Sequence, residues 1–101
     1  MRKQEIDNKN SVTLEELRLQ IDKLDDEVLQ LMEQRMVISQ KIGMFKKENN
    51  ITFLQTNRWN DLLKKRVNVG ISKGLGEIFV KKLYSAIHEA SIQHQKAVIM
   101  S

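Results

Sequence analysis

The 101-residue chain contains no cysteine and no proline, and it has only four glycines. Without cysteine it has neither a disulfide framework nor a thiol nucleophile, which fits a cytoplasmic location. The first residues lead into no apolar stretch, so we expect no secretory signal. No apolar run is long enough for a transmembrane helix, and no membrane role is expected. A chain of this length is predicted to form one domain.

The net charge of +4 and the pI of about 9.5 favour anionic partners, which include nucleic acid and acidic small molecules. The basic runs at 64–66 and 81–82 are more typical of a solvated helix face than of a nucleic-acid interface. The chain also has only one tryptophan, one tyrosine and three phenylalanines, and no recognisable helix-turn-helix or RNA-binding motif. We therefore expect no nucleic-acid partner.

The order of polar and apolar segments predicts three helices. Residues 1–11 are predicted to form a polar N-terminal tail, and residues 12–101 are predicted to form the helical domain. The first helix is predicted to begin after Thr13, with Glu16 completing a capping box, and to run to about residue 47. A second helix from about residue 56 is predicted to stop near Gly70, and a third runs from about 75 to 98. The segment 51–54 is an extended connection, and the remaining loop contains Gly70, Gly74 and Gly76.

Apolar residues recur along the first helix in alternating steps of three and four, the spacing of one long helix packed along a seam. They are Leu14, Leu17, Ile21, Leu24, Val28, Leu31, Ile38, Ile42 and Phe45. Arg35 takes the one remaining position of the series. A guanidinium cannot lose its proton in a protein, and burying it unpaired costs several kcal/mol. We therefore expect Arg35 to face a carboxylate, either of the protein or of a ligand.

The length of the first helix predicts the quaternary structure. At 1.5 Å per residue this helix is about 50 Å long, whereas a compact monomer of this size has a radius of gyration of about 13 Å. Two shorter helices cannot cover such a seam, but the long helix of a second copy can. The predicted fold is all-α, with one long and two shorter helices per chain in an intertwined helical homodimer.

Several cations are predicted to share one region. Arg35 and Lys46 are eleven residues apart, close to three helical turns, and so lie on one face. Arg58 opens the second helix. Arg18 is about 25 Å from Arg35 along the helix axis and could reach the same site only from the partner of an antiparallel dimer. Converging cations require a ligand with several negative charges.

The third helix carries two uncharged polar residues on its inward-facing side. Ser91 and Gln95 are one turn apart and continue an apolar stripe made of Phe79, Leu83, Ala86, Ile87 and Ala90. Polar groups in such a place bond either to one another or to a ligand. His88 and His94 are six residues apart, point to different faces and are expected to be surface residues, so no metal site is predicted.

Together these residues resemble the all-helical, class II chorismate mutases. The resemblance covers about residues 14–98 and rests on Leu17-Arg18, Ile21, Leu24-Asp25, Leu31, Arg35, Gly43, Lys46, Arg58, Glu89-Ala90-Ser91 and Gln95. It implies an intertwined homodimer with two composite active sites. It also implies an isomerase of aromatic amino-acid biosynthesis that converts chorismate to prephenate by a Claisen rearrangement, without a cofactor or a metal.

The resemblance also implies roles for individual residues. Arg35 and the partner's Arg18 would bind the two substrate carboxylates. Lys46 would contact the ether oxygen and a carboxylate, and Gln95 would also donate to the ether oxygen. Ser91 would lie beside a carboxylate, and Arg58 would help to hold the anionic end of the substrate.

Two positions depart from the commonest pattern of the family. Acidic residues near the substrate's ring hydroxyl are replaced by Gln55, whose carbonyl could still accept a hydrogen bond, and by Trp59, which cannot accept one. We expect Trp59 to pack in the core. Two alternative functions stay open from the sequence. They are an isochorismate pyruvate lyase and a regulatory module that binds chorismate or prephenate within a larger enzyme.

Overall fold

The computed structural model describes residues 12–52 and 56–100, and three α-helices account for most of them. Helix α1 spans Leu14–Glu48, α2 spans Thr56–Ser72 and α3 spans Glu77–Ile99. No strand is found in these two ranges, so the predicted all-α fold with one long and two shorter helices is confirmed. The predicted polar tail 1–11 and residues 53 and 54 of the predicted connection lie outside the described residues.

Helix α1 begins where the sequence predicts, and it ends within one residue of its predicted end. The backbone N–H of Thr13 donates to Glu16 Oε1 at 2.9 Å, and the N–H of Glu16 donates to Thr13 Oγ1 at 3.0 Å, which confirms the capping box. At the other end Asn50 has a φ of 55°. The N–H of Ile51 donates to the carbonyl of Lys46 at 2.8 Å, so a Schellman motif terminates the helix.

The chain divides after Gln34 into two compact units. The described part of the first unit is residues 12–34, almost all of which belong to α1. The six apolar residues of its seam have exposed fractions between 47% and 62%: they are Leu14, Leu17, Ile21, Leu24, Val28 and Leu31. Within this unit the predicted seam is therefore a continuous apolar stripe that stays exposed among the residues the structure describes.

The second unit contains the end of α1 together with α2 and α3. Its buried apolar residues are Val67 of α2 and Val80 and Ile87 of α3. Gly70 allows α2 and α3 to approach closely, because a Cβ atom at this position would lie only 2.5 Å from Val80 Cγ2. The prediction that Gly70 belongs to the loop is wrong: it is a buried helical residue that makes room for Val80.

The loop between α2 and α3 is formed around Gly74, which has a φ of 83°. The N–H groups of Gly74 and Leu75 donate to the carbonyls of Ile71 and Gly70 at 3.0 and 2.9 Å, which is again a Schellman motif. Helix α2 therefore continues past its predicted end, and α3 begins at Glu77, two residues later than predicted.

The inward face of α3 differs from the predicted stripe at several positions. Val80, Ile87, Ser91 and Gln95 are the buried residues of this helix, whereas Phe79 and Leu83 are exposed. Val80 takes the inner position because Gly70 of α2 leaves space for it. None of the described helices is long and apolar enough to cross a lipid bilayer.

Candidate active site

A pocket of about 190 Å³ lies within the second unit, and all three helices contribute to its lining. The residues that line it are Arg35, Ser39, Ile42 and Lys46 of α1, Arg58, Trp59 and Leu62 of α2, and Tyr84, His88, Ser91, Ile92 and Gln95 of α3. Three of these side chains are cationic, and none of those described is a carboxylate. The pocket is therefore suited to a ligand that carries more than one negative charge.

Arg35, the residue that interrupts the apolar seam, reaches across to α3. Its Nη1 donates to Ser91 Oγ at 2.8 Å. Arg35 is half-buried and Ser91 is 6% exposed, so this hydrogen bond lies at the inner wall of the pocket. Since the guanidinium has five N–H donors and one hydroxyl satisfies only one of them, Arg35 retains donors for an anionic ligand.

Lys46 and Gln95 form the second link between α1 and α3. Lys46 Nζ donates to Gln95 Oε1 at 2.8 Å, and both side chains are buried, with exposed fractions of 9% and 7%. Burial lowers the pKa of Lys46, because removing an ammonium from water disfavours its charged form. The Gln95 oxygen accepts from Lys46, and the Nε2 atom at the other end of the amide can only donate.

The close approach of α1 and α3 depends on Gly43, one turn before Lys46. A Cβ atom on Gly43 would lie 3.0 Å from Gln95 Cα, 3.1 Å from Gln95 O and 3.3 Å from Val98 Cβ. The helix backbones thus meet at the point from which Lys46 and Gln95 extend. The absent side chain at position 43 brings the ammonium within hydrogen-bond distance of the amide.

The side of the pocket formed by α2 contains an aromatic stack. The rings of Trp59 and His88 have their centroids 4.0 Å apart and are inclined by 17°. Both residues are half-buried and line the pocket, so Trp59 is not a pure core residue. The prediction that His88 is a surface residue is wrong. The sequence contained a sign of this, because position 88 precedes Ser91 and Gln95 at helical spacing.

The charge state of His88 is set by its surroundings. Burial lowers the pKa of its imidazole, and the positive charges of Arg35 and Lys46 lower it further. The ring is therefore neutral at neutral pH, with one nitrogen that donates and one that accepts. His94, on the same helix, is half-buried, and its Nδ1 lies 2.8 Å from the carbonyl oxygen of Ala90.

Five of the site residues predicted from the sequence line this pocket, and they are Arg35, Lys46, Arg58, Ser91 and Gln95. Arg18 belongs to the first unit, where its side chain is exposed. Gln55 lies outside the described residues. The sequence predicts no site role for Tyr84 or Ser39, and it predicts His88 to be a surface residue.

A family model described as chorismate mutase type II matches residues 17–96, which is most of the chain. The protein belongs to the type II chorismate mutase family. A comparison with curated proteins found no match. Members of this family are isomerases that convert chorismate to prephenate in aromatic amino-acid biosynthesis, and this is the function of the chain.

Proposed function

We propose that the pocket of the second unit is the active site for the rearrangement of chorismate, and that Arg35, Lys46 and Gln95 carry the reaction. The observation that supports this most strongly is the pair of 2.8 Å hydrogen bonds, Arg35 to Ser91 and Lys46 to Gln95. They hold two cations and one amide donor at the wall of a pocket whose described lining has no carboxylate. Chorismate is a dianion and matches this arrangement.

The reaction explains why the pocket needs no nucleophile or general base. In the Claisen rearrangement the ether C–O bond breaks while a new C–C bond forms within the same molecule. The enzyme must hold the enolpyruvyl arm over the ring, which is catalysis by proximity. It must also direct fixed donors at the ether oxygen, which gains negative charge as its bond to the ring breaks. Lys46 Nζ and Gln95 Nε2 supply these donors.

The remaining cations bind the two carboxylates of the substrate. Arg35 forms a charge-assisted pair with one carboxylate, and Ser91, held by the Arg35 guanidinium, lies beside it. Arg58 is exposed at the start of α2 and holds the anionic end of the ligand at the rim of the pocket. Binding of an anion also offsets the cost of keeping Lys46 charged in a buried position.

The active protein is proposed to be a homodimer in which the partner's Arg18 completes the site. The support is the uncovered seam of the first unit, whose six aliphatic side chains remain about half exposed. Covering them with the same stripe of a second copy would contribute roughly 5–10 kcal/mol of hydrophobic free energy. The role of Gln55 and the cytoplasmic location remain predictions from the sequence.

The first test is turnover of chorismate by the purified protein and by Arg35→Ala. We expect prephenate from the wild type and a loss of kcat/KM of about a hundredfold or more in the variant, since one partner of a buried charge pair is removed. A wild type that leaves chorismate unchanged and releases pyruvate from isochorismate would contradict the assignment. Circular dichroism controls for the helix content of the variant.

The shared site is tested by mixing two inactive variants, Arg18→Ala and Arg35→Ala. A mixed dimer has one site with both arginines intact and one site with neither. After subunit exchange, about half of the dimers are mixed, so about a quarter of the wild-type activity should return. If both arginines of a site came from one chain, mixing would restore nothing.

A further inference from the structure

We propose that His88 is a further substrate-binding residue, whose neutral imidazole, held against Trp59, accepts the hydrogen bond of the substrate's ring hydroxyl. This inference rests on the proposed function, because it concerns the part of chorismate that the proposed roles leave unmatched. The cations account for the carboxylates, and Lys46 and Gln95 account for the ether oxygen. The ring hydroxyl still requires an acceptor.

Acceptors are scarce among the described residues of the pocket. Arginine and lysine side chains can only donate, and the oxygen of Gln95 already accepts a hydrogen bond from the Lys46 ammonium. Ser91 Oγ already accepts from Arg35. The lining side chains whose acceptor atoms bond to no other described residue are those of Ser39, Tyr84 and His88. Ser39 is the least exposed of the three at 4%, so the Tyr84 hydroxyl and the imidazole of His88 are the more accessible candidates.

The stacking geometry favours the imidazole. The rings of His88 and Trp59 lie face to face at 4.0 Å, so the nitrogens at the edge of the imidazole are not covered by the indole. Among the described residues, neither ring nitrogen of His88 has a hydrogen-bond partner. The stack fixes the plane of the ring before the substrate arrives, so little conformational entropy is lost on binding.

The surrounding charges keep the ring in the form that can accept. Arg35 and Lys46 of α1 and Arg58 of α2 line the same pocket, and Tyr84 is the other titratable group that α3 contributes. All the charged groups of the described lining are cations and oppose a further positive charge. A protonated imidazole has two donors and no acceptor, so protonation of His88 would abolish the proposed hydrogen bond.

The test compares chorismate with an analogue in which hydrogen replaces the ring hydroxyl. His88→Phe keeps an aromatic ring against Trp59 but removes both nitrogens. We expect this variant to lose about tenfold in kcat/KM with chorismate and little with the analogue, since only the former loses a hydrogen bond. His94→Phe is the matched control, because His94 lies on the same helix and does not line the pocket. In His94→Phe the ratio of kcat/KM for chorismate to kcat/KM for the analogue should equal that of the wild type.

Equal losses of His88→Phe on the two compounds would overturn the proposal, because they would show a role in packing alone. Loss of discrimination in Tyr84→Phe instead would also overturn it and assign the hydroxyl to Tyr84. The pH profile gives a second readout. For the wild type, kcat/KM with chorismate should fall on the acid side as His88 gains its proton, and this fall should be absent in His88→Phe.

A wild type that turns over neither compound would refute the proposed function and not the role of His88. In that case the ring nitrogens of His88 are observed by NMR while each compound is added. A change of their chemical shifts with chorismate but not with the analogue would support the contact. The absence of any change with chorismate would overturn it.

Discussion

Replacing Gly43 by alanine tests whether the close approach of α1 and α3 builds the active site. The new methyl group would lie 3.0 Å from Gln95 Cα and 3.1 Å from Gln95 O, and ordinary contact begins at 3.4 Å. Both of these are backbone atoms that cannot rotate away, so the helices must separate by about 0.4 Å. The hydrogen bonds from Lys46 to Gln95 and from Arg35 to Ser91 would then lengthen from 2.8 Å to about 3.2 Å.

Two opposing effects decide the stability of Gly43→Ala. Alanine in a helix interior is favoured over glycine by about 1 kcal/mol, whereas overpacking an interface costs about 1–3 kcal/mol. We expect a net loss of about 1 kcal/mol in the free energy of unfolding, measured by urea denaturation at a fixed protein concentration. Because the donors at the ether oxygen are displaced, kcat/KM for chorismate should fall by about tenfold.

Gly70→Ala is the matched control for this experiment. It also places a methyl group at a tight helix crossing, 2.5 Å from Val80 Cγ2, but Gly70 does not line the pocket. This variant should lose stability while its folded fraction keeps the wild-type kcat/KM. If Gly43→Ala were instead more stable by about 1 kcal/mol and fully active, helix propensity would decide the outcome. The proposed role of the close approach would then be refuted.

Two further predictions concern the donors at the ether oxygen. Burial lowers the pKa of Lys46, so kcat/KM should fall on the alkaline side as this ammonium loses its proton, at a lower pH than for an exposed lysine. Lys46→Arg should move this fall to higher pH. An unchanged pH profile in this variant would contradict the assignment. Gln95 donates at any ordinary pH and should cause no acid-side loss, which is measured in His88→Phe to remove the contribution of that imidazole. Gln95→Glu should instead become more active as the pH falls, because a carboxyl group donates only when protonated.

The local sequence was sufficient to predict the helices and most of the pocket. The capping box of Thr13 and Glu16 and the helix end at Asn50 depend on neighbouring residues alone, so the sequence predicts both ends of α1. Arg35 and Lys46 share a face because helical periodicity requires it. Ser91 and Gln95 stood out as polar residues on an inward-facing stripe. The match to the family model over residues 17–96 agrees with the family that these positions indicated.

The predictions that were wrong concern Gly70 and His88, whose neighbours belong to another helix. The cluster of Gly70, Gly74 and Gly76 predicts a loop, but Gly70 lies in α2 and meets Val80, which is ten residues further along the chain on α3. The six-residue spacing of His88 and His94 predicts surface residues, but His88 stacks against Trp59, which belongs to α2. Helical spacing can indicate that position 88 faces inward with Ser91 and Gln95, but it does not indicate which residue of another helix lies against it.

The sequence by itself determined the three helices, the cationic face of α1 and the polar end of the inner stripe of α3, because these follow from local hydrogen bonds and from the helical repeat. Only the tertiary structure decided that Lys46 bonds to the acceptor end of Gln95 and that His88 lies against Trp59 in the pocket. The physical reason is that such contacts depend on the distance between helix axes. Small residues such as Gly43 set that distance, and their effect depends on which backbone they meet.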